Sequence, residues 1–125
     1  MLYVLDSNVY IEMERNNPQV IESLSKLQGT VFITSPTYSE IFFGLLNQKG
    51  IEEKIAKLDS INLLNTTKRS SRIFAQIKHE LECAGKVMPL FDMLIASIVI
   101  DSNMAIITMD EHFKEIKGIK SILIH

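Results

Sequence analysis

Four short apolar runs constrain the fold most: Leu2-Tyr3-Val4-Leu5, Val31-Phe32-Ile33-Thr34, Ala105-Ile106-Ile107-Thr108 and Ser121-Ile122-Leu123-Ile124. Leu2-Tyr3-Val4-Leu5 is a continuous apolar run, as expected of a strand buried on both faces, and the other three also read as strands. Between them lie segments with helical spacing. Asn8 to Arg15 is a short helix preceded by the cap-type residues Ser7 and Asn8. Pro18 to Leu27 places Val20, Ile21, Leu24 and Leu27 on one face, and Gly29 ends it. Ser35-Pro36 opens a helix with Tyr38, Ile41, Phe42, Leu45 and Leu46 on its apolar side. Ile51 to Leu58 is amphipathic, and Ile61 to Leu64 is a short strand. Thr67 to Ala84 is a long helix stopped by Gly85. Leu90 to Ser102 is apolar nearly all round, which marks a buried helix. Glu111 to Ile116 is a short helix before the last strand. Strands alternating with helices predict an α/β layered fold around a mostly parallel sheet.

With 125 residues there is room for one domain, residues 1–125, and too little for two. No repeat, linker or low-complexity tract divides it. No stretch reaches the roughly 18 apolar residues of a membrane span. The apolar N-terminal run is too short for a signal-peptide core, so a cytoplasmic location is expected. The single cysteine, Cys83, has no partner for an internal disulfide.

Four carboxylates carry the chemical argument. Asp6 ends the first strand, and Asp110 lies two residues past Thr108 at the end of a later one. Glu40 falls in the first turns of the helix after the second strand. Asp92 falls in the first turn of the all-apolar helix, which has almost no polar face to hold an acid. In open parallel sheets, functional groups gather outside the carboxyl ends of the strands. Each acid also has a plainer reading, as a helix cap, a turn residue or a solvent-facing side chain. Four at one sheet edge are harder to explain that way. Crowded carboxylates repel, and take up protons or bind cations. Oxygen-only donors favour Mg²⁺ or Mn²⁺, whose matching chemistry is phosphodiester hydrolysis. Net charge is −2, but the 15 acids less these four leave 11 against 13 basic residues. Charge balance therefore neither supports nor excludes a polyanionic substrate.

The segments Leu5-Asp6-Ser7-Asn8, Ser39-Glu40, Phe91-Asp92-Met93-Leu94-Ile95-Ala96 and Thr108-Met109-Asp110-Glu111-His112-Phe113 resemble, in order, the four signature blocks of PIN domains. The size, with no appended domain, is similar to that of the VapC toxins of bacterial and archaeal toxin–antitoxin pairs. The resemblance implies a three-layer α/β/α sandwich and Mg²⁺- or Mn²⁺-dependent endoribonuclease activity on an RNA substrate. It also implies a homodimer and a small antitoxin partner. It carries Asp6, Glu40, Asp92 and Asp110 over as the acidic quartet that holds metal and cuts. Ser7 and Asn8 match the polar positions after the first acid. Thr108 matches the hydroxyl residue before the last.

Other features are weaker. Lys68, Arg69 and Arg72, with Lys78 further on, offer cations for RNA phosphates, although a solvated helix face is the plainer reading. Lys86, six residues before Asp92, is a further candidate for contact with RNA near the site. His79 and Cys83 have zinc-compatible spacing, but no second pair is visible. His112 follows Asp110 closely enough to approach the site, but hydrolysis does not require it, and a surface residue is the plainer reading. Tyr38, Phe42 and Phe43 suit base stacking or packing equally. Two rivals remain: an RNA-processing nuclease of the same family without an antitoxin, and a non-catalytic metal-binding signalling module. Receiver domains pair adjacent acids after the first strand, whereas Asp6 is followed by Ser7-Asn8. Haloacid-type phosphatases want an Asp at position 8, which is Asn.

Overall fold

The computed structural model describes residues 1–125. The chain runs β1 (Leu2–Leu5), α1 (Ser7–Glu14), α2 (Pro18–Ser25), β2 (Thr30–Thr34), α3 (Ser35–Leu45), α4 (Glu52–Asp59), β3 (Asn62–Leu64), α5 (Lys68–Cys83), α6 (Leu90–Ser102), β4 (Ala105–Thr108) and β5 (Lys120–Leu123). A 3-10 turn, Glu111–Glu115, stands between β4 and β5 where helical spacing suggested a short helix. Five residues allow little more than a tight turn of this kind.

The strand order is β3-β2-β1-β4-β5, and all four pairings are parallel. The expected mostly parallel sheet is found, and every pairing in it is parallel. Every link between strands contains a helix or a 3-10 turn, which returns the chain to the same sheet edge. The sheet starts at its centre with β1, grows outward to β3, then crosses to β4 on the other side. Connections therefore diverge between β1 and β4, the kind of crevice where open α/β sheets bind ligands.

The two-residue period of the strands builds two cores. Tyr3, Leu5, Ile33 and Ile107 face one side, with Val9, Tyr10, Val20, Ile41 and Leu58 from α1 to α4. Val4 and Ile106 face the other, with Ile77, Leu81, Ile95, Ala96 and Val99 from α5 and α6. Adjacent residues such as Ile106 and Ile107 thus belong to different cores, which is why these runs are apolar without alternation. The result is three layers, helix, sheet and helix.

Local chemistry sets the helix boundaries. The Asp6 side chain, not Ser7 or Asn8, caps α1 by accepting from the Ser7 N–H. Thr34 caps α3, and Thr67 with Ser70 forms a reciprocal capping box on α5. Pro18 stands in the first turn of α2 and Pro36 in that of α3, where no backbone donor is lost. No helix is long and apolar enough to cross a membrane.

Candidate active site

Asp6 and Asp110 flank the crevice between β1 and β4. Asp6 is buried, and both its oxygens are engaged. Oδ1 accepts from the Ser7 N–H at 2.8 Å, and Oδ2 accepts from the Thr108 hydroxyl at 2.8 Å. The Thr108 oxygen accepts in turn from the Asp110 N–H at 3.0 Å. One threonine at the end of β4 therefore orients the side chain of one acid and the backbone of another. Asp110 caps the 3-10 turn, with Oδ1 accepting from the His112 N–H at 2.9 Å. The same oxygen lies 2.7 Å from His112 Nδ1.

Glu40 comes from the second turn of α3 and is exposed. Its Oε1 accepts from the Ser7 hydroxyl at 2.8 Å. Ser7 therefore serves two acids, through its backbone to Asp6 and its side chain to Glu40. Asn8, its neighbour, is exposed and its side chain takes no part in this network.

Asp92 lies in the first turn of α6. Its carboxyl is pushed up to about 6, by burial first, then by the charges of Asp6, Asp110 and Glu40, against a smaller lowering by His112. The helix N-terminus works the other way, and it is outweighed. Asp6 is also raised, chiefly by burial and further by Asp110, while the bonds from Thr108 and Ser7 pull it down. His112 is raised through its bond to Asp110. The plainer readings are therefore compatible with the functional one. Asp6 and Asp110 do cap, yet all four acids share one electrostatic neighbourhood.

The donor set is oxygen throughout, which fits hard divalent ions. No three acids, histidines or cysteines are drawn into a closed ligand cluster.

The basic residues are placed differently. Lys68, Arg69 and Arg72 start α5, where the Thr67 hydroxyl donates to Asp101 at 2.7 Å and Arg69 pairs with Asp101 at 3.7 Å. Asp101 is at the far end of α6 from Asp92, about 13 Å along the helix at 1.5 Å per residue. The structure does not bring these three cations to the acids. Lys86, in the turn between α5 and α6, is on the Asp92 side and lines a shallow pocket with Glu82, Val87, Leu90 and Met93, but forms no ion pair with Asp92. His79 Nε2 and Cys83 Sγ lie 3.8 Å apart on exposed α5 with no third ligand. Tyr38 stacks on Phe42 with ring centroids 6.0 Å apart, and its hydroxyl donates to Asp59 at 2.6 Å, which ties α3 to α4.

Two features escaped the sequence. One is the bond of His112 to Asp110, for which a histidine two residues after a capping acid was the only signal. The other is an open groove of about 470 Å³ beside Glu40, walled by Tyr10, Arg15, Lys54 and Lys57 among others. Its one sequence trace is Gly44, a helix glycine whose added Cβ would meet nothing within 4 Å.

Comparison with known proteins gives concordant results. The sequence profile described as PIN domain matches residues 3–119. Ribonuclease VapC2 of Rickettsia felis is 26% identical over 132 aligned positions, covering 99% of this chain and 96% of that protein. Ribonuclease VapC3 of Methanocaldococcus jannaschii is 34% identical over 95 positions, covering 76% of this chain and 95% of that protein. Among solved structures, VapBC2 from Rickettsia felis, bound to a DNA fragment from its promoter, superposes with a TM-score of 0.87 at 23% identity. That match covers 100% of both chains.

Proposed function

This chain belongs to the PIN domain family, and from that premise we propose that it is a Mg²⁺- or Mn²⁺-dependent endoribonuclease acting as the toxin of a toxin–antitoxin pair. The observation that carries the reading is the convergence at one sheet edge of four carboxylates from four separate elements, where burial first and then the charges of Asp6, Asp110 and Glu40 push Asp92 up to about 6. A fold built only for stability gains nothing from that crowding. The relatives named as ribonucleases supply the substrate class.

Asp6, Asp92, Asp110 and Glu40 are the residues that would hold the ion. When bound, it supplies an acidified water as nucleophile and neutralises charge on the scissile phosphodiester. The protein's own part is positioning. Thr108 and Ser7 fix the plane of the Asp6 carboxylate, and Ser7 draws Glu40 toward it. Glu40, the most exposed of the four, is the acid we assign to orienting or deprotonating the attacking water. Attack at phosphorus with departure of the 3′ oxygen leaves a 5′-phosphate.

The antitoxin belongs to the same reading. The groove beside Glu40 is open, bounded by α1, α3 and α4, and lined by both charge signs. Phe43 on α3 and Leu46 just past its end are exposed apolar residues. Such a surface suits a protein partner and reaches the acidic site through Glu40. Val87 in the turn before α6, with Leu90 and Phe91 at its start, offers an exposed apolar face to a second copy. A structured RNA pool incubated with the purified chain tests the nuclease, with Mg²⁺ or Mn²⁺, with chelator, and alongside Asp6→Asn. Metal-dependent cleavage that the variant lacks is expected. Cleavage by Asp6→Asn at the wild-type rate would remove Asp6 from the site.

A further inference from the structure

We infer that His112 is a positioning residue for Asp110, fixing that carboxylate so that a single oxygen is offered to the cation. The inference rests on the acidic-site reading above and adds to it a residue that reading leaves out.

Asp110 Oδ1 accepts twice from the same residue, from the His112 N–H at 2.9 Å and from the ring Nδ1 at 2.7 Å. A carboxylate only accepts, so Nδ1 carries the hydrogen, and the tautomer follows from the partner. Two donors fill the two lone pairs of Oδ1, and Oδ2 has no partner in the chain. Asp6 is arranged otherwise, since each of its oxygens takes one donor and keeps one lone pair. The two acids on either side of the crevice therefore present different faces to an ion. Asp110 presents one oxygen, and Asp6 presents two half-used ones.

The histidine ring does little else. It is 72% exposed, so its packing contributes little, and an exposed pair of this kind adds little to stability. The torsion of a carboxylate about its last bond is broad. With the backbone N–H as the only donor, Asp110 would swing. The ring bond removes that freedom. Partners behind metal ligands typically contribute 10–100-fold to metal affinity.

The test is Mn²⁺ binding at pH 8 without RNA, followed by the paramagnetic resonance of the free aqueous ion. It compares wild type, His112→Ala, His112→Asn and Asp110→Asn. His112→Ala is expected to bind about tenfold more weakly, with its melting temperature in chelator unchanged. His112→Asn restores binding, because its amide nitrogen sits where Nδ1 does and donates to the same oxygen. Wild-type affinity in His112→Ala would overturn the inference. So would His112→Asn as weak as the alanine variant, or Asp110→Asn as tight as wild type. A wild-type chain that binds no Mn²⁺ would overturn the acidic-site reading itself, and the inference with it.

Discussion

The Thr108 hydroxyl donates to Asp6 Oδ2 at 2.8 Å, a buried bond that joins residues 102 positions apart in sequence. Both ends are nearly inaccessible, at 1% and 6% exposure, so water cannot replace either partner. Replacing Thr108 with Val keeps the shape, removes the donor to Asp6 and removes the acceptor of the Asp110 N–H. The expected cost is about 1–3 kcal/mol, read as a lower denaturation midpoint in urea. Losing a bond that lowers the Asp6 carboxyl raises that group further, so cleavage falls most at acidic pH. Thr108→Ser restores both properties. A Val variant of wild-type stability and activity would show that the bond orients nothing.

How much of this was legible in the sequence depends on the range of the interaction. Strands such as Ala105–Thr108 were legible because burial on both faces leaves an unbroken apolar signature. Asp92 stood out because an acid on an all-apolar helix has nowhere ordinary to go. The Ser7–Glu40 bond was not legible, because it spans 33 residues and depends on how α1 meets α3. The bond from His112 was hidden by its locality, since a 3-10 turn of five residues leaves no periodic trace. The groove beside Glu40 is a property of three helices packed together, and no segment announces it.

The basic cluster shows where local pattern leaves two readings open. Lys68, Arg69 and Arg72 share a helix with nothing to say which end of the molecule they occupy. The antiparallel α5–α6 hairpin then carries them to Asp101, away from Asp92. Lys68→Ala and Arg72→Ala should therefore leave cleavage of a structured RNA within about twofold of wild type. Arg69→Ala breaks a pair whose arginine is 73% exposed, at a cost of no more than about 1 kcal/mol. A tenfold loss of cleavage in any of the three, with folding intact, would place RNA along α5.

Gly29 tests the sheet rather than the site. It turns the chain into β2 at φ +152, and a Cβ there would stand 2.1 Å from the Met1 carbonyl oxygen. That oxygen accepts the Thr30 N–H at 3.0 Å, so it cannot retreat without opening the start of the β1–β2 pairing. Gly29→Ala is expected to destabilise by at least about 2 kcal/mol. A melting curve unchanged from wild type would mean that the turn relaxes freely.

Asp92 connects the crowding of the acids to a curve that can be measured. Its carboxyl moves from an ordinary 3.8 to about 6 on folding, so the folded state binds its proton more tightly than the unfolded state does. The stability this contributes is fully present below pH 3.8, and is lost as pH rises through about 6. Above that, metal-free wild type folds against the burial of an ionised Asp92 and, after it, the repulsion of Asp6, Asp110 and Glu40, whereas Asp92→Asn does not. The full shift corresponds to about 3 kcal/mol, and the partial exposure of Asp92 screens it to roughly 1 kcal/mol. In chelator, Asp92→Asn should match wild type near pH 4 and exceed it by that amount at pH 7.5. Mn²⁺ should reverse the order at pH 7.5, because an ion that binds only the folded state stabilises the chain that retains its ligand. The asparagine variant should also be catalytically silent. A difference between the two chains that stays flat from pH 4 to pH 7.5 would mean that Asp92 is neither buried as a charge nor held among the other three acids.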